Sequence, residues 1–252
     1  MALYTVTGIV LRRTNFGEAD RIVTIYSRER GKIPCIAKGV RKPISRLSGP
    51  TEGFTYGTFQ LAEGRHLHIV SQADVKNSFQ QIHCDLHKIA HASYISEMVD
   101  KLTEEHDCNP EIFDLLLSSL YLMERPNPPE KIAHMFALQF MGLLGYEPMI
   151  DCCLRCHAKL SGETTLFSPS MGGIVCRECG PIPGDSISLS AEAVTVMRIL
   201  SVADAREVEK LEIPTSITDD IARAMRWYVR YRSDRDLKSA AFLESLRARG
   251  DC

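Results

Sequence analysis

The chain contains two short cysteine motifs, Cys153-Leu-Arg-Cys156 and Cys176-Arg-Glu-Cys179, which are separated by nineteen residues. Each Cys-x-x-Cys motif offers two thiolates from one tight turn, and a pair at this spacing is typical of a zinc site. Four sulfur ligands complete the tetrahedral coordination of Zn²⁺, which leaves no position for water or substrate. The two motifs therefore predict one structural Zn²⁺ ion, held by all four cysteines.

Two alternatives concern the first of these motifs. Cys152 stands directly before Cys153 and could replace it as a ligand, although the two-residue gap favours Cys153. The string Cys153-Leu-Arg-Cys156-His157 also fits the attachment motif of c-type haem. Haem attachment occurs in oxidising compartments, whereas a second cysteine motif is what zinc requires, so zinc is the favoured interpretation.

The remaining cysteines and the N-terminus indicate a reducing compartment. The N-terminus has no basic segment followed by an apolar run, and no run of about eighteen apolar residues occurs, so we expect a soluble protein without a targeting peptide. Cysteines without a secretory signal usually stay reduced. We expect free thiols at Cys35, Cys84, Cys108, Cys152 and Cys252.

The sequence around the cysteine motifs predicts an insertion in a helical domain. Residues 151–185 are rich in cysteine, glycine and proline and have too few apolar residues for a core of their own. Apolar residues recur at helical spacing from residue 80 to Gly145 and again after Ser190. We therefore expect a helical domain formed by residues 80–150 and 186–252, interrupted by a zinc module at 151–185.

The N-terminal segment, residues 1–79, predicts a small β-barrel. Short β-branched runs alternate there with turn signals, and five such strands can close into a barrel without exposed edges. The expected strands are residues 3–13, 21–27, 32–38, 53–61 and 66–71. The fold class is therefore multi-domain α+β.

Positive charge is concentrated at the start of the chain. Residues 1–50 contain ten Lys and Arg against three acids, although the net charge of the whole chain is only -2. Such a segment is typical of a polyanion-binding surface. The candidate residues lie on the strands and on the loop between the third and fourth strands, and they are Arg12, Arg13, Arg21, Lys38, Arg41, Lys42 and Arg46.

Three further patterns have both a functional and a structural interpretation. Aromatic residues in the barrel could stack on bases or fill its core; these are Phe16, Tyr26, Phe54, Tyr56 and Phe59. Histidines at positions 83, 87 and 91 could bind a metal or flank an apolar stripe. Arginines at positions 223, 226 and 230 could form a second basic face or a solvated helix surface.

Several segments together resemble the bacterial recombination-mediator family RecO. The order and spacing of these segments match the family over nearly the whole chain. The N-terminal ones are Gly8–Arg12, Phe16–Val23, Gly31-Lys32 and Ala37–Arg46, and the later ones are Phe140–Pro148, Phe167–Cys176 and Arg235–Leu243. Two departures are His157, where the family often has glycine, and Ser239–Phe242, which lacks the basic residues common there.

The resemblance implies an N-terminal five-stranded OB-fold, a C-terminal all-α domain and an inserted zinc-ribbon-like module with four cysteine ligands. It also implies a cytoplasmic, nucleoid-associated DNA repair and recombination mediator without enzymatic activity. Members of the family bind single-stranded and double-stranded DNA, anneal complementary strands and, with RecR, help RecA to replace single-strand-binding protein, whose C-terminal tail is a further partner. The implied phosphate contacts are Arg12, Lys38, Arg41, Lys42 and Arg46.

Two other functions remain open from the sequence. The first is a zinc-ribbon adaptor that contacts only proteins and uses its basic loop for an acidic partner. The second is a metal hydrolase, which the closed set of four cysteines disfavours. The chain has no phosphate-binding glycine motif, no nucleophile elbow and no zinc-deaminase motif.

Overall fold

The computed structural model describes residues 2–159 and 164–248. The chain divides into two compact units, residues 1–125 and residues 126–252. The sequence-based boundaries after residues 79, 150 and 185 stay predictions. Cys252 lies outside the described residues.

The N-terminal unit contains a closed five-stranded barrel with the strand order β1-β2-β3-β5-β4. All neighbouring strands are antiparallel except β3 and β5, which run parallel. This is the order of an OB-fold, which confirms the expected fold class. The strands are β1 Leu3–Phe16, β2 Asp20–Ser27, β3 Gly31–Ala37, β4 Tyr56–Ala62 and β5 His68–Asn77.

The alternation of burial along the strands explains why this sequence forms a barrel. Every second residue of β3 and β4 is buried, as expected for strands with one face toward a core. The side chains of Val10, Ile25, Phe59 and Leu61 are at most 1% exposed and form the barrel interior. Burial of these apolar side chains is therefore the main contribution to barrel stability.

Three helices complete the N-terminal unit: α1 Gln80–His83, α2 Leu86–Leu102 and α3 Pro110–Glu124. The carboxylate of Asp85 accepts hydrogen bonds from the first backbone N–H groups of α2, and the amide oxygen of Asn109 does the same for α3. Side chains of these types satisfy N–H groups that have no partner within a helix. Helix α2 packs against β1, so it supports the strand that carries Arg12 and Arg13.

In its described residues, 126–159 and 164–248, the C-terminal unit combines five helices with a small sheet. Helix α4 packs against α5 and α7, and the rings of Phe136 and Phe140 stack at a centroid distance of 5.2 Å in this core. The elements are α4 Pro129–Leu143, β6 Thr164–Ser168, β7 Gly173–Val175, β8 Ile187–Ser190, α5 Ala191–Val202, α6 Ala205–Lys210, α7 Thr215–Ser233 and α8 Lys238–Ala248.

The cysteine-rich segment forms part of a small sheet. The cysteine-rich segment contributes β6 and β7 to a sheet of order β7-β6-β8, which apolar spacing did not predict. Phe167 and Ile174 are fully buried, and the ring of Phe167 contacts that of Tyr228 on α7 at 5.7 Å. The segment therefore shares the core of the helical unit instead of standing apart from it.

The carboxylate of Asp185 joins the segment before β8 to the end of β6 and the turn that follows it. Asp185, which precedes β8, accepts hydrogen bonds from the hydroxyl of Ser168 at 2.9 Å and from the backbone N–H of Ser170 at 2.7 Å. Burial raises the pKa of the Asp185 carboxyl, but the donors on the two serines outweigh burial and lower the pKa below its usual value. The ionised carboxylate is therefore the form that stabilises this turn.

Candidate nucleic-acid interface and metal centre

The basic loop after β3 folds back onto the turn between β1 and β2. The backbone N–H of Gly39 donates to the Asp20 carboxylate at 2.7 Å, and the N–H of Arg41 donates to the carbonyl of Ala19 at 2.9 Å. The Arg41 guanidinium also donates to the carbonyl of Gly17 at 3.3 Å. These three contacts place the basic loop beside the hairpin turn. We call the side chains of Lys38, Arg41, Lys42 and Arg46 the loop cations.

The loop cations are exposed and available to an external anion. Within the part of the chain that the structure describes, Lys38, Lys42 and Arg46 form no ion pair, and Arg41 contacts only a backbone carbonyl through its side chain. Like charges on one short loop repel each other, and an anion with repeating charges relieves that repulsion. This surface therefore suits a phosphate backbone.

Two cations on β1 are exposed but have acidic partners. The Arg12 guanidinium lies 3.6 Å from the Asp100 carboxylate, and the Arg13 guanidinium lies 2.9 Å from that of Glu52. The two arginine side chains are still 56% and 44% exposed. The Arg13–Glu52 pair is exposed and therefore weak, so Arg13 can exchange its partner for a phosphate at a small free-energy cost. The Asp100 carboxylate is only 8% exposed, but it also pairs with Lys101 at 3.3 Å, so it keeps a cationic partner when Arg12 turns to a phosphate.

Arg21 lies inside the fold and does not belong to this surface. Its side chain is 9% exposed, and one guanidinium nitrogen donates to the Thr51 hydroxyl at 3.1 Å and to the Glu52 carboxylate at 3.0 Å. These contacts hold the end of the basic loop against β2. Charge in the sequence cannot separate such a structural arginine from a ligand-binding one.

The barrel aromatics divide clearly between the two interpretations. Tyr26 and Phe59 are fully buried, and Phe54 is 6% exposed. Tyr56 is half-buried and its ring lies 6.3 Å from that of Phe113. Phe16, at the end of β1, is 52% exposed. The core interpretation therefore holds for the buried rings, and Phe16 alone among the five is a large exposed ring.

Sequence reasoning missed Asp20, which positions the loop cations through the N–H of Gly39. The available signal was a carboxylate directly before the second predicted strand and a glycine directly after the third. Gly39 has a φ of 64°, which glycine adopts without strain. Asp20 is therefore a supporting residue of the candidate interface.

The four cysteines of the two motifs come together as predicted. Their sulfur atoms all lie within 4.8 Å of one another, and no other group of three or more potential metal ligands occurs among residues 2–159 and 164–248. Three of the sulfur–sulfur distances are 3.1, 3.4 and 3.7 Å. A tetrahedron with metal–sulfur bonds of about 2.3 Å has edges of about 3.8 Å. The cluster therefore fits one metal ion.

Local hydrogen bonds shape the first motif into a tight turn. The N–H of His157 donates to the carbonyl of Cys153 at 2.9 Å, and the N–H of Cys153 donates to the carbonyl of Ala158 at 3.0 Å. His157 has a φ of 57°, in the left-handed region, and Gly180 follows the second motif with a φ of 127°. Glycine adopts the backbone conformation of His157 without strain, whereas histidine adopts it at a cost.

The thiols of the cluster differ in how readily they ionise. Burial raises the pKa of the Cys153 thiol, but hydrogen bonds from the backbone N–H groups of Cys156, Cys176 and Arg155 outweigh burial and lower its pKa to about 6. In contrast, hydrogen bonding to the neighbouring sulfurs of Cys176 and Cys153 raises the pKa of the Cys179 thiol to about 12. Four thiolates at these distances would repel one another, and a bound metal ion would offset that repulsion.

The other cysteines stand apart from the cluster. Cys152 is not part of it and pairs through its backbone with Lys159. Cys35, Cys84, Cys108 and Cys152 are free thiols, and burial raises the pKa of Cys35 to about 12. The geometry thus identifies Cys153 as the first member of the set.

The two weaker patterns have structural roles. The His83 ring lies 5.5 Å from that of Phe54, and the His91 ring nitrogen lies 2.8 Å from the carbonyl of His87. On α7 the three arginines 223, 226 and 230 form ion pairs with Asp220, Glu244 and Asp236 respectively. These arginines are balanced within the chain, which favours the solvated-surface interpretation.

The comparisons with known proteins agree with this architecture. The family model for the N-terminal part of recombination protein O matches residues 1–79, and the model for its C-terminal part matches residues 83–241. The chain belongs to the RecO family. The OB-fold barrel corresponds to the first of these RecO regions, and the cysteine cluster lies within the second.

Curated relatives match the RecO-family chain along almost its full length. The DNA repair protein RecO of Symbiobacterium thermophilum is 35% identical over 98% of this chain and 99% of its own length. The DNA repair protein RecO of Heliobacterium modesticaldum is 34% identical over 98% and 91%, and that of Pelotomaculum thermopropionicum is 36% identical over 97% and 94%. The names of these relatives place the family in DNA repair.

One further finding concerns membranes. None of the helices in the described part of the chain is both long enough and apolar enough to span a bilayer.

Proposed function

We propose that this chain is a DNA repair and recombination mediator that binds single-stranded DNA through the basic surface of its barrel. The observation that supports the proposal most directly is the position of the loop cations, which stand exposed beside the β1–β2 turn. In OB-folds the loop between the first two strands is a common site for oligonucleotides. Membership in the RecO family gives independent support.

The proposed activity is electrostatic and needs no catalytic group. Two complementary strands repel each other through their phosphates, and cations near both backbones reduce that repulsion over a distance of about 8–10 Å at moderate salt. Bases of the two strands can then meet and pair. We infer that the barrel surface promotes strand annealing in this way and also binds double-stranded DNA through the same phosphate contacts.

The partners follow from the proposed role in recombination. We propose that the chain acts with RecR, receives the C-terminal tail of single-strand-binding protein, and so assists the loading of RecA onto coated DNA. Because these partners act on bacterial DNA, we place the protein in the cytoplasm with the nucleoid. The support for these partners is family membership.

We propose that the ion at the cysteine cluster is Zn²⁺. The donor set of four sulfurs suits zinc, and Cys153, Cys156, Cys176 and Cys179 would hold it. When bound, zinc would supply structural stability and no open coordination position. The residues of this module therefore support folding of the C-terminal unit, while the DNA contacts are made by the barrel.

A pair of matched double variants tests the DNA-binding proposal. The variant K42A/R46A removes one lysine and one arginine from the loop cations, and R206A/K210A removes the same two residue types from exposed positions of α6. Single-strand binding has a salt dependence with a slope of about -0.7 for each phosphate contact. We expect K42A/R46A to reduce the slope by about 1.4. The affinity ratio of wild type to variant should therefore be about 25-fold larger at 0.1 M salt than at 1 M salt.

Fluorescence anisotropy with a labelled oligo-dT strand between 50 mM and 1 M salt measures both quantities. The control R206A/K210A should follow the wild type. Equal slopes for K42A/R46A and the wild type would show that the loop cations do not contact DNA. Absence of any single-strand binding by the wild type at 50 mM salt would instead favour the protein-only adaptor.

A further inference from the structure

Phe16 stands at the end of β1 with its ring in solvent. The residue is 52% exposed, whereas Phe59, the other phenylalanine of the barrel strands, and Tyr26 on β2 are fully buried. Within the described part of the chain its ring has no aromatic or cationic ring contact. The next residue, Gly17, has a φ of 56° and forms the turn into β2. A ring that is 52% exposed at the end of a hairpin strand contributes less to folding than a core ring, because about half of its surface stays in water.

The surroundings of Phe16 combine positive charge with a second exposed apolar side chain. Arg41 donates from its guanidinium to the carbonyl of Gly17, directly beside Phe16. Ile44, which is 92% exposed, lies on the same loop between Lys42 and Arg46. Single exposed apolar residues are common on proteins, but an exposed aromatic ring next to a turn that contacts an exposed arginine has a specific chemical counterpart.

Unpaired nucleotides provide that counterpart. A single strand offers flat bases that stack on aromatic rings and phosphates that contact cations, and proteins that bind single strands combine these two kinds of group. In a duplex the base faces are covered by their neighbours, so a protruding ring finds no partner there. A surface with cations alone would bind the two forms of DNA with little discrimination, because phosphate contacts carry no information about pairing.

We propose that Phe16 stacks on an unpaired base of the bound strand and gives this surface its preference for single-stranded over double-stranded DNA, with Ile44 as a second apolar contact. The inference rests on the proposed DNA binding by the loop cations. In this proposal the loop cations contact the phosphates of the strand and Phe16 contacts its bases. The loop cations then set the salt dependence of binding, whereas Phe16 sets the discrimination between strands.

The test uses the full-length protein with three DNA probes of equal length. The probes are an oligo-dT strand, the same strand with abasic sites at every position, and a blunt duplex. The variants are F16A, F16W and the control F242A, which removes an exposed phenylalanine from α8. Thermal unfolding of each variant checks that the fold is intact.

Loss of one base stack weakens binding by about 5- to 150-fold. We expect F16A to lose affinity for oligo-dT within that range, with the salt slope unchanged and with affinity for the abasic strand and the duplex unchanged. F16W should retain tight binding. In a W227F background, F16W carries the only tryptophan of the chain, and its fluorescence should be quenched by oligo-dT and not by the abasic strand.

Two results would overturn the inference. If F16A loses no affinity for oligo-dT, or loses it equally for the abasic strand, Phe16 does not stack on bases, and the DNA-binding proposal still stands through the loop cations. If the wild type binds neither oligo-dT nor the abasic strand at 50 mM salt, the proposed function and this inference fail together.

Discussion

Replacing Cys153 with alanine removes one of the four clustered sulfurs, whereas replacing Cys152 removes a thiol one residue away that lies outside the cluster. Each variant removes one sulfur atom, so the two form a matched pair. Cys153 is fully buried, and its sulfur accepts hydrogen bonds from the N–H groups of Arg155 at 3.4 Å and Cys176 at 3.3 Å. We expect C153A to lose the metal and C152A to keep it.

The expected loss of metal affinity and of stability follows from the removal of one of the four sulfur ligands. Loss of a group that only orients a ligand weakens metal affinity by about 10–100-fold, so loss of the ligand itself should weaken it by at least about 100-fold. With free metal at about 100 times the wild-type Kd, loss of metal binding removes about 2.7 kcal/mol of stabilisation from the folded unit. For a unit of the size of residues 126–252, that loss lowers Tm by about 10 °C.

Metal content by mass spectrometry and calorimetric unfolding, each with and without a chelator, measure these effects. The wild type and C152A should contain one zinc ion per chain and lose stability when the chelator is added. C153A should contain no zinc and should unfold at the same temperature with and without chelator. Zinc retained by C153A and lost by C152A would show that the cluster geometry assigns the wrong cysteine.

Two further predictions concern the C-terminal unit. H157G should stabilise it by about 1 kcal/mol, because His157 has a φ of 57° that glycine adopts without strain; calorimetry should give a higher Tm at unchanged zinc content, and a lower Tm would contradict the backbone argument. D185N should destabilise the unit by about 1 kcal/mol at pH 7, where the Asp185 carboxylate is ionised and accepts two hydrogen bonds. Because the folded-state pKa of Asp185 is lowered, its contribution to the free energy of unfolding is present above the usual pKa near 4 and is lost as the pH falls through the folded-state value. Urea unfolding should therefore give D185N and the wild type the same free energy of unfolding in acid.

The barrel could be predicted because its signals are local. Alternating apolar residues and short turns define hairpins, and each predicted strand overlaps an observed one. Two strands extend beyond their predicted ends: β5 continues from residue 71 to Asn77, and β1 continues to Phe16 because its last residues pair with the start of β2 in the register Phe16 to Asp20. The end of β1 is exposed, so the pairing there comes from the hairpin turn and not from apolar alternation.

The small sheet of the C-terminal unit could not be predicted from apolar spacing, because its signals are not local in the sequence. Strand β7 has only three residues, and β6 pairs with β8 across residues that are distant in sequence. Its buried side chains, Phe167 and Ile174, pack into a core whose other half comes from α7. A segment that borrows half of its core has too few apolar residues to be recognised by composition alone.

The sequence predicted a cluster of four cysteines, and the structure showed which cysteine is its first member. The two-residue gap in the sequence favoured Cys153 as the first ligand but left Cys152 as an alternative. The folded turn brings the Cys153 sulfur within reach of the other three and directs the backbone of Cys152 into a pairing with Lys159. The sequence thus predicts the kind of metal site, whereas the choice between the adjacent thiols of Cys152 and Cys153 requires the folded structure.

The candidate DNA contacts show most clearly what charge counting cannot resolve. The sequence offers seven cations, which would give a salt slope of about -5 for single strands if all of them contacted phosphates. In the fold, Arg21 is buried against Thr51 and Glu52, and Arg12 and Arg13 have acidic partners. The four loop cations alone give a slope of about -3.

Titration of oligo-dT binding against salt distinguishes these values. A slope of about -3 means that the ion pairs of Arg12 and Arg13 persist in the complex. A slope of about -4 means that both arginines exchange their carboxylates for phosphates, and E52Q and D100N should then bind the strand more tightly than the wild type. A slope of about -5 would require Arg21 to leave its buried site, and would contradict the role that the structure gives it.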